Sequence, residues 1–124
     1  MNPEVLERAR VAAAALDAKQ ARDIVVLDVG DILSIAEVFV LAHGTNTRQV
    51  RTLVDAVESA LRDECDARPR GREGVSDATW VVLDYGDIVV HVFLAETREY
   101  YDLDRLWADA QHVTAGLPVE ATNS

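Results

Sequence analysis

Apolar positions recur along this chain with two periods, and the alternation between them predicts its elements. Val5, Ala9, Ala12, Ala13 and Leu16 return at helical spacing behind Asn2-Pro3-Glu4. Asparagine can accept a backbone N–H at a helix start, proline fits the first turn, and Glu4 and Glu7 oppose the positive helix end. A helix is therefore predicted from Pro3 to near Ala21, with an alanine stripe that packs closely while burying modest apolar area. Residues 23–29 and 38–42 are nearly unbroken apolar runs, the pattern of strands covered on both faces. Gly30-Asp31 punctuates the first, and Ile35 and Ala36 fall in a short connector before the second. Gly44-Thr45-Asn46-Thr47 predicts a turn and an N-cap. A second helix follows, with Val50, Leu53, Val54, Val57, Leu61 and Cys65 on one stripe and Arg51, Asp55, Glu58, Arg62 and Asp63 opposite.

The periodicity stops over residues 66–78. Arg68, Arg70 and Arg72 alternate there around Pro69 and Gly71, as in a loop or a short edge strand where proline and charge discourage pairing. Residues 79–84 and 88–94 then flank Tyr85-Gly86-Asp87, which predicts a β-hairpin with a glycine-containing turn. In its second arm Ile88, Val90, Val92 and Leu94 take one face, and Val89, His91 and Phe93 the other. Thr97 is read as the cap of a last helix that Tyr100 and Tyr101 open and that carries Leu103, Leu106, Trp107 and Ala110. The order α-β-β-α-(β)-β-β-α predicts an α/β or α+β fold, a single mixed sheet of about five strands with flanking helices. One domain is expected over residues 1–112, with a flexible C-terminal tail over 113–124.

Charge narrows the partners. The 124 residues carry 12 basic and 22 acidic side chains, a formal net charge of −10. Phosphate-backbone binding depends on lysine and arginine displacing counterions, so neither direct nucleic-acid specificity nor an anionic membrane surface suits this chain. A basic protein is the better electrostatic match. No apolar run approaches the ~20 residues that span a bilayer, and Met1-Asn2-Pro3-Glu4 lacks the features of a signal peptide. With one cysteine and no disulfide within the chain, a cytoplasmic location is expected.

Candidate chemistry is sparse. Cys65 lies on the helical apolar stripe and reads as a small buried hydrophobe. His43, His91 and His112 form no metal-ligand spacing, and His112 reads as solvated. His91 sits mid-strand among apolar neighbours, as a satisfied strand histidine or as a binding group. Asp84 and Asp87 bracket the hairpin turn, and Asp28 and Asp31 follow the first strand. Such pairs can hold Mg²⁺, but they are also ordinary turn residues. Gly44-Thr45-Asn46-Thr47 lacks the lysine and second glycine of a phosphate loop. Five of the seven aromatic residues fall between Trp80 and Trp107. Exposed tyrosine and tryptophan anchor interfaces because a rigid amphipathic ring loses little entropy on docking, so this region reads as a contact surface.

Residues 23–29, Phe39-Val40 with Gly44, and Arg48-Gln49-Val50 resemble the N-terminal half of the ribosomal silencing factors, also called Iojap or DUF143 proteins. The blocks over residues 80–93 and 98–107 are similar to that family's C-terminal signature. The resemblance covers about residues 5–110. It implies a nucleotidyltransferase-like sheet without transferase chemistry and without a cofactor. It also implies binding to the large ribosomal subunit through its fourteenth protein, a basic one on the face that meets the small subunit. Occupying that face would block subunit joining and repress translation in starvation. Carried over residue by residue, it assigns partner binding to Trp80, Tyr85, His91, Tyr100, Tyr101, Asp102, Leu103 and Trp107, with Arg48 and Gln49. The chain departs from the family at Glu37-Val38, where relatives commonly carry Asp-Tyr, and at Asp31-Ile32-Leu33, which replaces a Gly/Ser-rich stretch. An active nucleotidyltransferase using Asp28, Asp84 and Asp87 on Mg²⁺ is the competing reading, and a homodimer through the hairpin edge is compatible with either.

Overall fold

The computed structural model describes residues 2–30, 36–106, 108 and 110–113. The readings placed on Asp31, Ile35 and Trp107 lie outside those residues, as do the departure at 31–33 and most of the predicted tail.

The first helix, α1 (Pro3–Ala18), is capped by the Asn2 side chain, which accepts the Glu4 N–H at 2.8 Å. Strands β1 (Arg22–Asp28) and β2 (Val38–Gly44) pair antiparallel, and α2 (Thr47–Cys65) follows. Then come β3 (Gly71–Glu73), β4 (Trp80–Asp84) and β5 (Ile88–Leu94), two short helices α3 (Ala95–Tyr101) and α4 (Leu103–Leu106), and a two-residue β6 (Gln111–His112). The sheet is mixed, in the order β3-β4-β5-β2-β1-β6. Its central pair, β5 and β2, is parallel, because α2 and the residues after it carry the chain back across the sheet. The predicted mixed α+β architecture is what forms, with β6 as a short sixth strand.

One face of the sheet is closed by α1 and α2. Ala9, Ala12 and Ala13 are fully buried, so the alanine stripe lets α1 lie close against Val26, Val40 and Val90, while Leu53, Val57 and Leu61 of α2 fill the same core. Burying each such leucine contributes roughly 1.5–3 kcal/mol. The other face carries a smaller cluster of Val25, Leu27, Val29, Leu41, Phe93 and Ala110, with Phe39, Trp80 and Leu103 at its margin. Gly74, at φ +75°, turns β3 into β4; a Cβ there would stand 2.0 Å from the Trp80 carbonyl oxygen, so only glycine fits.

Three sequence readings change. The helix read as capped by Thr97 starts at Ala95 directly from β5, without a side-chain cap, so Tyr100 and Tyr101 close it rather than open it. It ends because Asp102 adopts a left-handed conformation (φ 49°) and donates its N–H to the Arg98 carbonyl at 2.8 Å; Leu103 begins a separate turn. His112, read as solvated, pairs with Leu27 in β6 and is half-buried. The hairpin offers no open edge for a homodimer, since β3 covers β4 and β2 covers β5; the outer edge belongs to β3.

Candidate docking surface

Alternation along β2, β4 and β5 decides which side chains reach the face away from α1 and α2. Val81 and Leu83 point to the helix side, so Trp80, Val82 and Asp84 point away; Val90 and Val92 do the same to Val89, His91 and Phe93. On β2 the parity sends Phe39 and Leu41 to that face. In-register pairing sets Phe39 beside Val89 and Leu41 beside His91. Trp80 lies opposite Phe93. An aromatic array results. Phe39 and His91 have ring centroids 4.7 Å apart, Trp80 and Phe93 5.2 Å, Trp80 and Tyr101 4.9 Å, and Tyr100 meets Tyr101 edge-on at 5.0 Å.

The array grades from buried to exposed. Phe93 is fully buried, His91 is 8% exposed, Tyr101 50% and Tyr100 82%. Leu103 packs at its edge and Asp102 is exposed beside it. The Trp80 indole N–H donates to His91 Nδ1 at 3.1 Å. Burial holds the His91 imidazole down at about 4, so the ring is neutral at physiological pH. Next to it a cavity of about 250 Å³ is lined by Ala36, Phe39, Val82, Val89 and His91, with Arg70, Glu73 and Asp84 at its polar side.

Trp80, His91, Tyr100, Tyr101, Asp102 and Leu103 are thus brought onto one surface. The structure does not bring Tyr85, Arg48 or Gln49 to it. The Tyr85 ring packs on the helix-side core, and burial together with the nearby Glu58 carboxylate pushes its hydroxyl up to about 12. Gln49 is occupied locally. Its side-chain oxygen accepts the Thr45 N–H at 2.8 Å, its amide donates to the Gln20 carbonyl at 3.2 Å, and its backbone N–H is capped by Asn46. Arg48 is exposed beside it on α2.

Two participants escaped the sequence reading. Phe39 falls in an apolar run and in the family resemblance but is assigned no binding role by the sequence, because its ring contact with His91 depends on the parallel pairing of β2 with β5; its parity with Leu41 is the available signal. Arg98 is the other. It is 8% exposed, donates to the Asp23 carbonyl at 2.7 Å and sits 3.1 Å from His43 Nδ1, seating α3 on a bulge in β1 between Arg22 and Val25. Arg98 opens the 98–107 block of the family resemblance, but no local pattern marks it as buried.

The carboxylates of the competing reading serve the backbone. Asp28 accepts the Gly30 N–H at 3.1 Å, Asp84 the Gly86 N–H at 2.8 Å, and Asp87 the Ile88 N–H at 2.8 Å while pairing with Arg8 at 2.5 Å. Among the described residues no group of three or more His, Cys, Asp or Glu could hold a metal ion, and no helix is long and apolar enough to cross a membrane. Cys65, half-buried at the end of α2, has its thiol pushed up by burial.

Comparison with known proteins follows the same lines. A family model described as "Ribosomal silencing factor during starvation" matches residues 2–124. The chain is 41% identical over 101 residues to the ribosomal silencing factor RsfS of Bacillus subtilis, covering 82% of this chain and 85% of that protein. It is 34% identical over 91 residues to the mouse protein named mitochondrial assembly of ribosomal large subunit protein 1, covering 72% of this chain and 40% of that one. A crystal structure of a Chromobacterium violaceum protein superposes with a TM-score of 0.80 at 33% identity, covering 99% of this chain and 98% of the other.

Proposed function

This chain belongs to the ribosomal silencing factor family, and from that premise we propose that it is a non-enzymatic plug on the large ribosomal subunit. It docks on a basic ribosomal protein, the fourteenth of that subunit, on the face that receives the small subunit. There it blocks joining by bulk and so represses translation in starvation. The observation that carries the reading is the aromatic array. Trp80, Tyr101 and Tyr100 step outward from a rigid sheet to a half-exposed surface, on a chain of net charge −10. Rigid aromatics at the centre of a patch supply most of the energy in protein interfaces, and opposite net charge steers the encounter. Trp107 is assigned to the same surface by the family resemblance.

The test is co-sedimentation of the purified protein with large ribosomal subunits, alongside a subunit-joining assay. The Tyr100→Ala/Tyr101→Ala pair is expected to fold and to bind at least tenfold more weakly, since truncating two central aromatics removes more than about 1.4 kcal/mol. Weakening of wild-type binding with rising salt is the electrostatic signature. Joining that proceeds unchanged in stoichiometric excess of the protein overturns the proposal.

A further inference from the structure

Among the described residues, the Tyr85 hydroxyl and His91 Nε2 are the buried side-chain polar atoms with no hydrogen-bond partner. They differ in what lies beside them. The tyrosine belongs to the helix-covered side. The histidine ring lines the open-face cavity with Phe39, Val82 and Val89.

Hydrogen-bond chemistry fixes the state of that ring. The Trp80 indole can only donate, so His91 Nδ1 must be the accepting nitrogen and Nε2 carries the ring proton. Phe39 on one side and Phe93 on the other, with centroids 4.7 and 6.1 Å away, hold the imidazole in place. The result is a neutral, oriented N–H donor that is 92% withdrawn from solvent as a residue (8% exposed) and has no acceptor. A buried donor without a partner is unfavourable, and an oxygen that reaches it removes that penalty.

We infer that His91 determines specificity at the docking surface by donating its Nε2–H to a carbonyl oxygen of a cationic protein partner, which seats an adjoining apolar side chain in the cavity between Phe39, Val82 and Val89. The inference rests on the docking function proposed above and names the chemistry that surface reads. The apolar lining suits an aliphatic side chain rather than a charged one. An N–H can accept nothing from a lysine or arginine head, so the partner's cations fall outside, on the polar side of the cavity where Glu73 stands beside the Arg70–Asp84 ion pair. A carboxylate could accept the hydrogen bond, but an acidic partner is opposed by the net charge of −10. A neutral oxygen acceptor remains, and a carbonyl is the one that every residue of a partner's backbone carries. His91 Nε2 is covered in the free protein, so the contact requires a neighbouring side chain, not the held imidazole, to change rotamer on docking.

Large ribosomal subunits are the probe. His91→Phe keeps an aromatic ring but loses both the Nε2–H donor and the Nδ1 acceptor of the Trp80 indole; His91→Gln returns an N–H donor and an oxygen acceptor at a similar reach. With both variants confirmed folded by circular dichroism, the phenylalanine variant is expected to bind about tenfold more weakly, and the glutamine variant to stay within about threefold of wild type. Equal binding by wild type and His91→Phe overturns the role of His91 while leaving the docking function intact. Failure of the wild type to bind at all overturns both. Independently of any variant, ¹⁵N spectra of the free protein are expected to show a protonated Nε2 and a bare Nδ1; the opposite tautomer overturns the assignment.

Discussion

The two faces of the sheet are built from different materials. Against α1 and α2 the buried contacts are aliphatic: alanine, valine, leucine and isoleucine, with Tyr85 and Cys65 only at the margin. On the other face Phe39, Trp80, His91, Phe93, Tyr100 and Tyr101 form a ring-to-ring array that ends in solvent. Aliphatic packing gains from every methylene removed from water, which is what folding needs. Aromatic side chains with polar edges hold their shape while half-exposed, which is what recognition needs. One face therefore stabilises the scaffold, and the other presents an aromatic surface anchored on the strands.

Substitutions can break that division of labour or sharpen it. The largest effect is expected at Leu53, fully buried under the helix side. Leu53→Ala should lower the free energy of unfolding by about 3–4 kcal/mol in a denaturant titration. A comparable loss in Tyr100→Ala would show that the outer array also carries the fold. Next is the pH dependence that His91 imposes. The ring titrates near 6.5 when unfolded and about 4 when folded, so the unfolded chain binds the proton first as pH falls. Stability is fully present above about pH 6.5 and drains away toward pH 4, by up to about 3 kcal/mol. Denaturation of wild type and His91→Gln at pH 7 and pH 4.5 isolates this part, because the carboxylates titrate in both. The smallest effect is expected at Tyr85. Removing its unpartnered hydroxyl in Tyr85→Phe should raise stability by about 1 kcal/mol and leave binding to large subunits unchanged. A weakened complex would draw the helix side into the interface.

How legible all this was in the sequence depends on the range of the interaction. Asn2 and Asn46 as caps, the stripe from Val50 to Leu61 and the hairpin around Gly86 are set by neighbours in the chain, and each could be read directly. The alternation of Val89, His91 and Phe93 against Ile88, Val90 and Val92 was equally readable. The start of α3 was not, since no side chain caps it; the helix begins where β5 leaves the sheet and Arg98 pins it to the β1 bulge. The sequence names the residues of the aromatic surface but not its shape. Tyr85 and Tyr101 look alike in one dimension. Strand parity and the Asp102 helix break send one under the helices and the other onto the open face.

The parallel seam between β2 and β5 has a consequence for how the molecule comes into being on a translating ribosome. Phe39 leaves the exit tunnel long before His91, and everything from α2 to β4 must emerge between them. The first half can collapse early around α1, β1 and β2, yet the aromatic face does not exist until the last central strand slots in beside the second. On the docking function proposed above, a nascent chain is inert toward the particle that is making it until its last central strand is in place.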